Sequence, residues 1–559
     1  MLRFFILTLA VLCSLSSLVA HAEQATEISA QRLTNIVKVL ASDTFEGRAP
    51  GTPGEDKTIA YLIEQMQGIG LKPGGVEGNW TQDVPMMRTV VKSPLAMTFS
   101  GTDFTLSLEQ GSSVSIDTAR DLQTIAAKDV PVVFVGFGTH APEQNWDDYG
   151  DIDLTGKLAV FLVNDPDFAA TANEPAAGRF GNRRMTYYGR WAYKFEEAAR
   201  RGALGALVIH ETEAAGYDWT VAAAGAGENV SLANKDPQSL PVTLQGWLHN
   251  DAATQLLAGA GFKLDDLRIA ARNPNFKAFE LDGIRFATRF DVDITRFDSR
   301  NVLGVLPGGA RADEIIMASA HWDAYGIGAP DEQGRTVRAG ANDDALGSAG
   351  ILELARVLKA GPALERSVVF AFWTAEEAGL VGSKAYAANP IFPIETTVAN
   401  FTLDILQTAG ASHDVILVGK GQSELEDDLA RAAKAQGRYV TQENLPENGL
   451  FYRADHFSMA RVGVPVLLIM GIAGGADLLD GGREAGDQWI ADYVGNCYHK
   501  PCDAWSDDWD LTGAVQDIEL FHRLIAELAN SSRWPSWKAG SEFKSVRDQS
   551  RNQRDEGNP

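Results

Sequence analysis

The chain has 559 residues, too many for one hydrophobic core, so two or more domains are expected. Apolar residues make up 45% of it, including 25 Phe and 12 Trp, which excludes a disordered composition. A formal net charge of -25 excludes the basic footprint that nucleic-acid binding needs.

The first residues, Met1-Leu2-Arg3, lead into an apolar run from Phe4 to Val19 and then Ala20-His21-Ala22. This reads as a secretory signal peptide over 1–22, cleaved after Ala22, and the run falls short of the roughly 20 apolar residues a membrane span requires. Cys13 follows Leu12 rather than the small residue that lipidation wants. The mature chain is therefore expected in the periplasm or outside the cell.

Leu33, Ile36, Val37 and Leu40 repeat at helical spacing, and Ile59, Leu62, Ile63 and Met66 predict a second helix ending at Gly68 and Gly70. Over 93–297 the texture is short strand-like runs, such as Val130 to Val135, separated by Gly, Asp and Asn turns, which predicts a β-rich domain. From Asn301 apolar runs alternate with helical patterns. Strands are predicted at Ile315 to Ser319, Val368 to Phe372, Val398 to Leu403, Val415 to Val418 and Val464 to Ile469. Helices are predicted at about Leu346 to Lys359, Gly382 to Ala388, Ser423 to Gln436 and Thr512 to Asn530. Buried strands between helices predict an α/β fold with a mixed, mainly parallel-core sheet flanked by helices. The N-terminal helices lack a sheet of their own, so 23–92 and 298–532 are assigned to one domain, 93–297 to an insertion, and the polar 533–559 to a flexible tail.

The predicted strand ends carry one kind of chemistry. His321 and Asp323 follow the first strand, Asp343 and Asp344 precede the next helix, Glu376 and Glu377 follow the second strand, and Asp404 closes the third. His499 lies between Cys497 and Cys502, which an oxidising compartment permits to pair and which would then hold the histidine; two free thiols are the alternative. Sites in open α/β sheets gather beyond the carboxyl ends of strands. Two histidines with several carboxylates suit zinc better than calcium, and no thiolate cluster points to a structural zinc or an iron–sulfur site.

These residues resemble the M28 metallopeptidases, the co-catalytic zinc aminopeptidases. The matching stretches are Leu40 to Arg48, His321-Trp322-Asp323, Gly340 to Gly347, Thr374 to Ser383, Leu403-Asp404 and Tyr498-His499. The resemblance implies two zinc ions per chain in a zinc aminopeptidase/phosphorylase-hydrolase-like fold. Asp343 would bridge them, Glu377 and His499 would complete one, and His321 and Asp404 the other. Glu376 would be the general base, and Asp323 would orient the His321 ring. Asp344 competes with Asp343 for the bridging role. Substrates would be peptides with a free N-terminus.

The insertion resembles a protease-associated (PA) domain through Val133 to Gly138, Asp153 to Lys157, Tyr187 to Trp191 and Gly202 to Ala206. Phe451 to His456 matches a stretch in M28 relatives, with Ala454 where Ser is common. His456 is expected to pack rather than ligate, Tyr452 or Arg453 to meet substrate, and His140, His210 and His522 to be surface or core residues. The same fold hosts glutaminyl-cyclase-like transferases, which use one zinc, and acidic-peptide carboxypeptidases with an added helical dimerisation domain. A complete ligand set and a single C-terminal helix favour the aminopeptidase, and disfavour a binding module that has lost catalysis.

Overall fold

The computed structural model describes residues 27–92, 95–233 and 240–556. The expected leader lies outside them. The chain forms two units: Met1–Val84, Ser299–Asn444 and Ala454–Pro559 make one, and Pro85–Asp298 with Leu445–Arg453 the other. No helix of the described residues is long and apolar enough to cross a membrane.

The first unit is an α/β layer. Its elements are α1 (Ala30–Leu40), α2 (Pro53–Ile69), the end of β1 (Phe279–Leu306), β2 (Arg311–His321), α3 (Gly347–Ala360), β3 (Arg366–Trp373), α4 (Val381–Ala388) and β4 (Thr397–Leu403). Then follow β5 (Asp414–Leu417), α5 (Leu425–Ala435), β6 (Tyr439–Gln442), β7 (Val466–Ile469), α6 (Gly482–Asp492), α7 (Thr512–Asn530) and α8 (Lys544–Glu556). The sheet order is β7-β4-β2-β3-β1; the first four strands are parallel and β1 runs antiparallel at their side. β3 and β4 are buried at every position, as strands covered by helices on both faces must be. The chain leaves β2 for β3 on one side and returns to β4 on the other, so the carboxyl end of β2 lies where successive connections diverge.

α1 starts at Ser29, whose hydroxyl accepts from the Arg32 N–H, and buries Leu33, Ile36, Val37 and Leu40 against this core. The predicted run at Val415 forms β5, which pairs with β6 in a separate two-stranded sheet rather than joining the main one.

Within the tail expected over 533–559, described residues are docked on the first unit. Trp537 and Phe543 are buried, the Trp537 indole donates to the Gly463 carbonyl at 2.8 Å, and α8 follows with Arg547 donating to the Thr397 carbonyl at 3.0 Å. A few aromatic anchors at irregular spacing dock this stretch, and periodicity does not report anchors of that kind.

In the second unit the sheet runs from Phe279–Leu306 through Thr124–Gly136, Leu158–Leu162, Gly205–Ile209 and Leu244–Leu248 to Val114–Asp117. Its middle strands are parallel and its outer ones antiparallel. Alternate residues of Thr124–Gly136 feed two cores: Val132 and Phe134 pack in one, Val133 and Val135 in the other.

Candidate metal centre

The carboxyl ends of β2, β3 and β4 supply His321, Glu376 with Glu377, and Asp404, all in the first unit. Asp343 comes from the turn Ala341–Leu346 that opens α3, and His499 from the disulfide-closed segment after α6. Two donor groups result. The ligand atoms of His321, Asp343 and Asp404 lie within 4.8 Å of one another, and so do those of Asp343, Glu377 and His499. Asp343 belongs to both: its Oδ1 is 3.1 Å from His321 Nε2, and its Oδ2 is 3.3 Å from His499 Nε2. His499 Nε2 also faces Glu377 Oε2 at 3.2 Å. That nitrogen is buried and makes no aligned hydrogen bond to either carboxylate. A buried imidazole nitrogen close to two carboxylates yet hydrogen-bonded to neither fits a metal ligand, and the N/O composition of both groups suits zinc.

Asp344 does different work. Its Oδ2 accepts the His321 N–H at 3.2 Å, and its Oδ1 accepts the N–H groups of Gly347 at 3.0 Å and Ile405 at 3.4 Å. One carboxylate thus ties the end of β2, the start of α3 and the residue after Asp404. The Asp343–Asp344 peptide bond is cis.

Asp323 sits beside His321 Nδ1, with its carbonyl at 3.2 Å and its carboxylate Oδ1 at 3.5 Å. The same Oδ1 accepts the Glu376 N–H at 3.0 Å. These acceptors fix the proton on Nδ1 and leave Nε2 to face Asp343. Glu376 Oε2 lies 4.0 Å from His321 Nε2.

Two further residues hold the scaffold. The buried guanidinium of Arg48 donates to the carbonyls of Trp322 at 2.8 Å, Leu40 at 2.9 Å, Ala339 at 2.5 Å and Gly340 at 2.8 Å. Asp503 accepts the N–H groups of Asn342 at 2.9 Å and Asp343 at 3.1 Å, and the Tyr493 hydroxyl at 3.1 Å. It follows Cys502 directly, so the segment bearing His499 is tied to the turn bearing Asp343. Arg48 lies in a stretch that carried the family resemblance, but three of its four partner carbonyls are far off in sequence and leave no motif. Asp503 carried no signal beyond its place beside the cysteine.

The backbone is bent at three points. Ala375 before Glu376, Ile405 after Asp404, and His499 itself have φ of 51°, 51° and 60°. Left-handed backbone at a non-glycine residue concentrates at functional sites. Cys497 and Cys502 form a disulfide. Tyr498 at φ -54° and ψ 122°, with the Lys500 N–H donating to the Cys497 carbonyl at 2.9 Å, makes a type II turn with His499 at the position that normally takes glycine.

The electrostatics follow from burial and crowding. Burial pushes the Glu376 carboxyl well above its usual range; His321 opposes this, while Asp404 and Asp455 add to it. Burial, then Asp343 and Glu376, raise Glu377 likewise. Asp343 also meets a burial penalty, but the two facing imidazoles outweigh it and hold its carboxyl below the usual range. This concentration of negative charge is what divalent cations would relieve.

His456 is buried at the start of a short helix, His456–Arg461, and belongs to neither donor group. His210 packs among Tyr217, Trp219 and Trp247, and His140 pairs with Asp147 at 3.3 Å at the surface. His522 is held below its ordinary pKa by burial. Tyr452 and Arg453 fall in the second unit, where the Tyr452 ring lies 6.1 Å from that of Tyr187.

Fold and donor set together define an α/β protein with a candidate metal centre at the carboxyl edge of its parallel strands. Residues 301–521 match the model of Peptidase family M28. Leupeptin-inactivating enzyme 1 of Streptomyces exfoliatus is 28% identical over 209 residues, which are 36% of this chain and 43% of that protein. Aminopeptidase Y of Saccharomyces cerevisiae is 27% identical over 226 residues, 39% of this chain and 37% of that protein. The chain spans less than half the length of these curated relatives. Among solved structures, an aminopeptidase from Aneurinibacillus sp. strain AM-1 aligns over 91% of this chain and 96% of its own, with 21% identity and a TM-score of 0.48.

Proposed function

We propose that the chain is an exported aminopeptidase that binds two zinc ions and removes N-terminal residues from peptides. One observation carries the reading: two three-donor groups share Asp343, whose two carboxylate oxygens each face a different histidine. The match of residues 301–521 to the M28 family model and the aminopeptidase names of relatives support it.

His321, Asp343 and Asp404 would hold one zinc, and Asp343, Glu377 and His499 the other. When bound, such a pair lowers the pKa of a shared water and polarises the scissile carbonyl. The chain's own residues do the rest. Glu376 accepts the proton of the attacking water on its carboxylate and passes it to the leaving amine. Asp323 keeps the Glu376 backbone and the His321 ring in register by accepting from both. The second unit we read as a protease-associated domain, on the stretches from Val133 to Ala206 that resemble one.

A panel of amino-acid p-nitroanilides, assayed before and after chelation and after zinc return, tests the activity. Hydrolysis that requires a free N-terminus and zinc is expected. Cleavage of N-blocked peptides from the other end would replace the reading with a carboxypeptidase, and pyroglutamate formation would replace it with a cyclase.

A further inference from the structure

We infer that Tyr325 is a positioning residue that orients the His499 ring by accepting its Nδ1 proton, and so supports the metal affinity of the Asp343–Glu377–His499 group. This rests on the two-metal reading above and adds a residue that the motifs do not contain.

The Tyr325 hydroxyl is 3.0 Å from His499 Nδ1, and the two rings lie 4.6 Å apart. The imidazole also meets the Tyr498 ring, with ring centroids 3.6 Å apart. The opposite nitrogen, Nε2, is the one aimed at Asp343 and Glu377. An imidazole presents a lone pair on Nε2 only when Nδ1 carries the proton, and that proton needs an acceptor. The Tyr325 oxygen stands where that acceptor must be.

Tyr325 is also held in place. Ala324 donates to the Arg48 carbonyl at 3.4 Å, and Gly326–Ile327 pairs with Val337–Arg338. Gly326 has φ 71°, and a Cβ there would come within 2.7 Å of the Ala49 Cβ, so the backbone beside Tyr325 is closely packed. A residue 174 positions away thereby orients the His499 ring.

The two histidines are served differently. His321 Nδ1 faces a carbonyl and a carboxylate, which only accept. His499 Nδ1 faces a hydroxyl, which serves either tautomer. Replacing that hydroxyl therefore affects one donor group and not the other.

The test is zinc titration of the metal-stripped full chain against a chromophoric chelator. Tyr325→Phe keeps the ring beside His499 and removes the oxygen. It should weaken one of two zinc steps by about tenfold, the low end for such partners because water reaches this half-exposed ring, and leave the other step and the circular dichroism spectrum unchanged. His499→Ala should abolish the same step. Excess zinc should restore the turnover of Tyr325→Phe with KM unaltered. Two unchanged steps in Tyr325→Phe, or equal weakening of both, overturn the assignment to Tyr325. Fewer than two zinc ions on the unaltered chain overturn the two-metal reading and the assignment together.

Discussion

The two donor groups that share Asp343 are built on different principles. His321 and Asp404 stand at the ends of neighbouring parallel strands, both nearly sealed from solvent at 2% and 4% exposure. Their spacing is inherited from the sheet. His499 stands on a type II turn closed by a disulfide, its side chain 32% exposed, and its place is set by Asp503, Tyr325 and the Cys497–Cys502 bond. A sheet edge supplies a rigid half-site without further help. A loop supplies one only when several contacts, distant in sequence, immobilise it.

The largest expected effect leaves both halves intact. Glu376→Gln should keep two zinc ions bound and lower kcat by roughly 100-fold to 10,000-fold, the span of general acid–base catalysis. Retained turnover with both ions bound would remove Glu376 from its role. Next comes Arg48→Ala, which strands four buried carbonyls around the strand-end half and the Asp343 turn. Chemical denaturation should show a loss of about 3 kcal/mol or more. Arg48→Lys should not recover it, because an ammonium lacks the planar fork that reaches all four. Loss of under 1 kcal/mol would mean that the strand ends hold the turn unaided.

Replacing Cys497 and Cys502 together by Ser probes the loop half. Closing so short a loop contributes on the order of 2 kcal/mol to overall stability. The sharper readout is selective weakening of the zinc step that His499→Ala abolishes. The smallest effect belongs to the second unit. Asp117 accepts from the Asn229 and Gln245 amides, each at 3.1 Å, and burial pushes its carboxyl up to about 7. Between its ordinary value and 7 the folded chain binds more protons than the unfolded one, so its contribution to stability falls as pH rises through that window. Asp117→Asn should flatten this slope in denaturation followed from pH 4 to 7, with no change in zinc binding.

The contrast also explains what could be read from the chain itself. Strands ending in His321, Glu376 and Asp404 announce themselves, because a buried parallel strand is a compact apolar run and a titratable residue at its end stands out. Asp343 and His499 stood out only as titratable residues beside the predicted elements, and their roles, like those of the strand-end residues, came from the family resemblance. The distinction between Asp343 and Asp344 became clear only when the Asp344 oxygens were found on three backbone N–H groups. Arg48, Asp503 and Tyr325 act on backbone or on a ring brought near by folding, and no local pattern encodes such pairings. The stretch with Trp537 and Phe543 misled for the opposite reason: its composition is polar, yet a few aromatic residues suffice to dock it.

Anomalous diffraction from zinc-loaded crystals of the full chain tests the central claim most directly. Two peaks are predicted, one among His321, Asp343 and Asp404 and one among Asp343, Glu377 and His499, with Asp343 touching both. A single peak, or zinc bound away from Asp343, would contradict it.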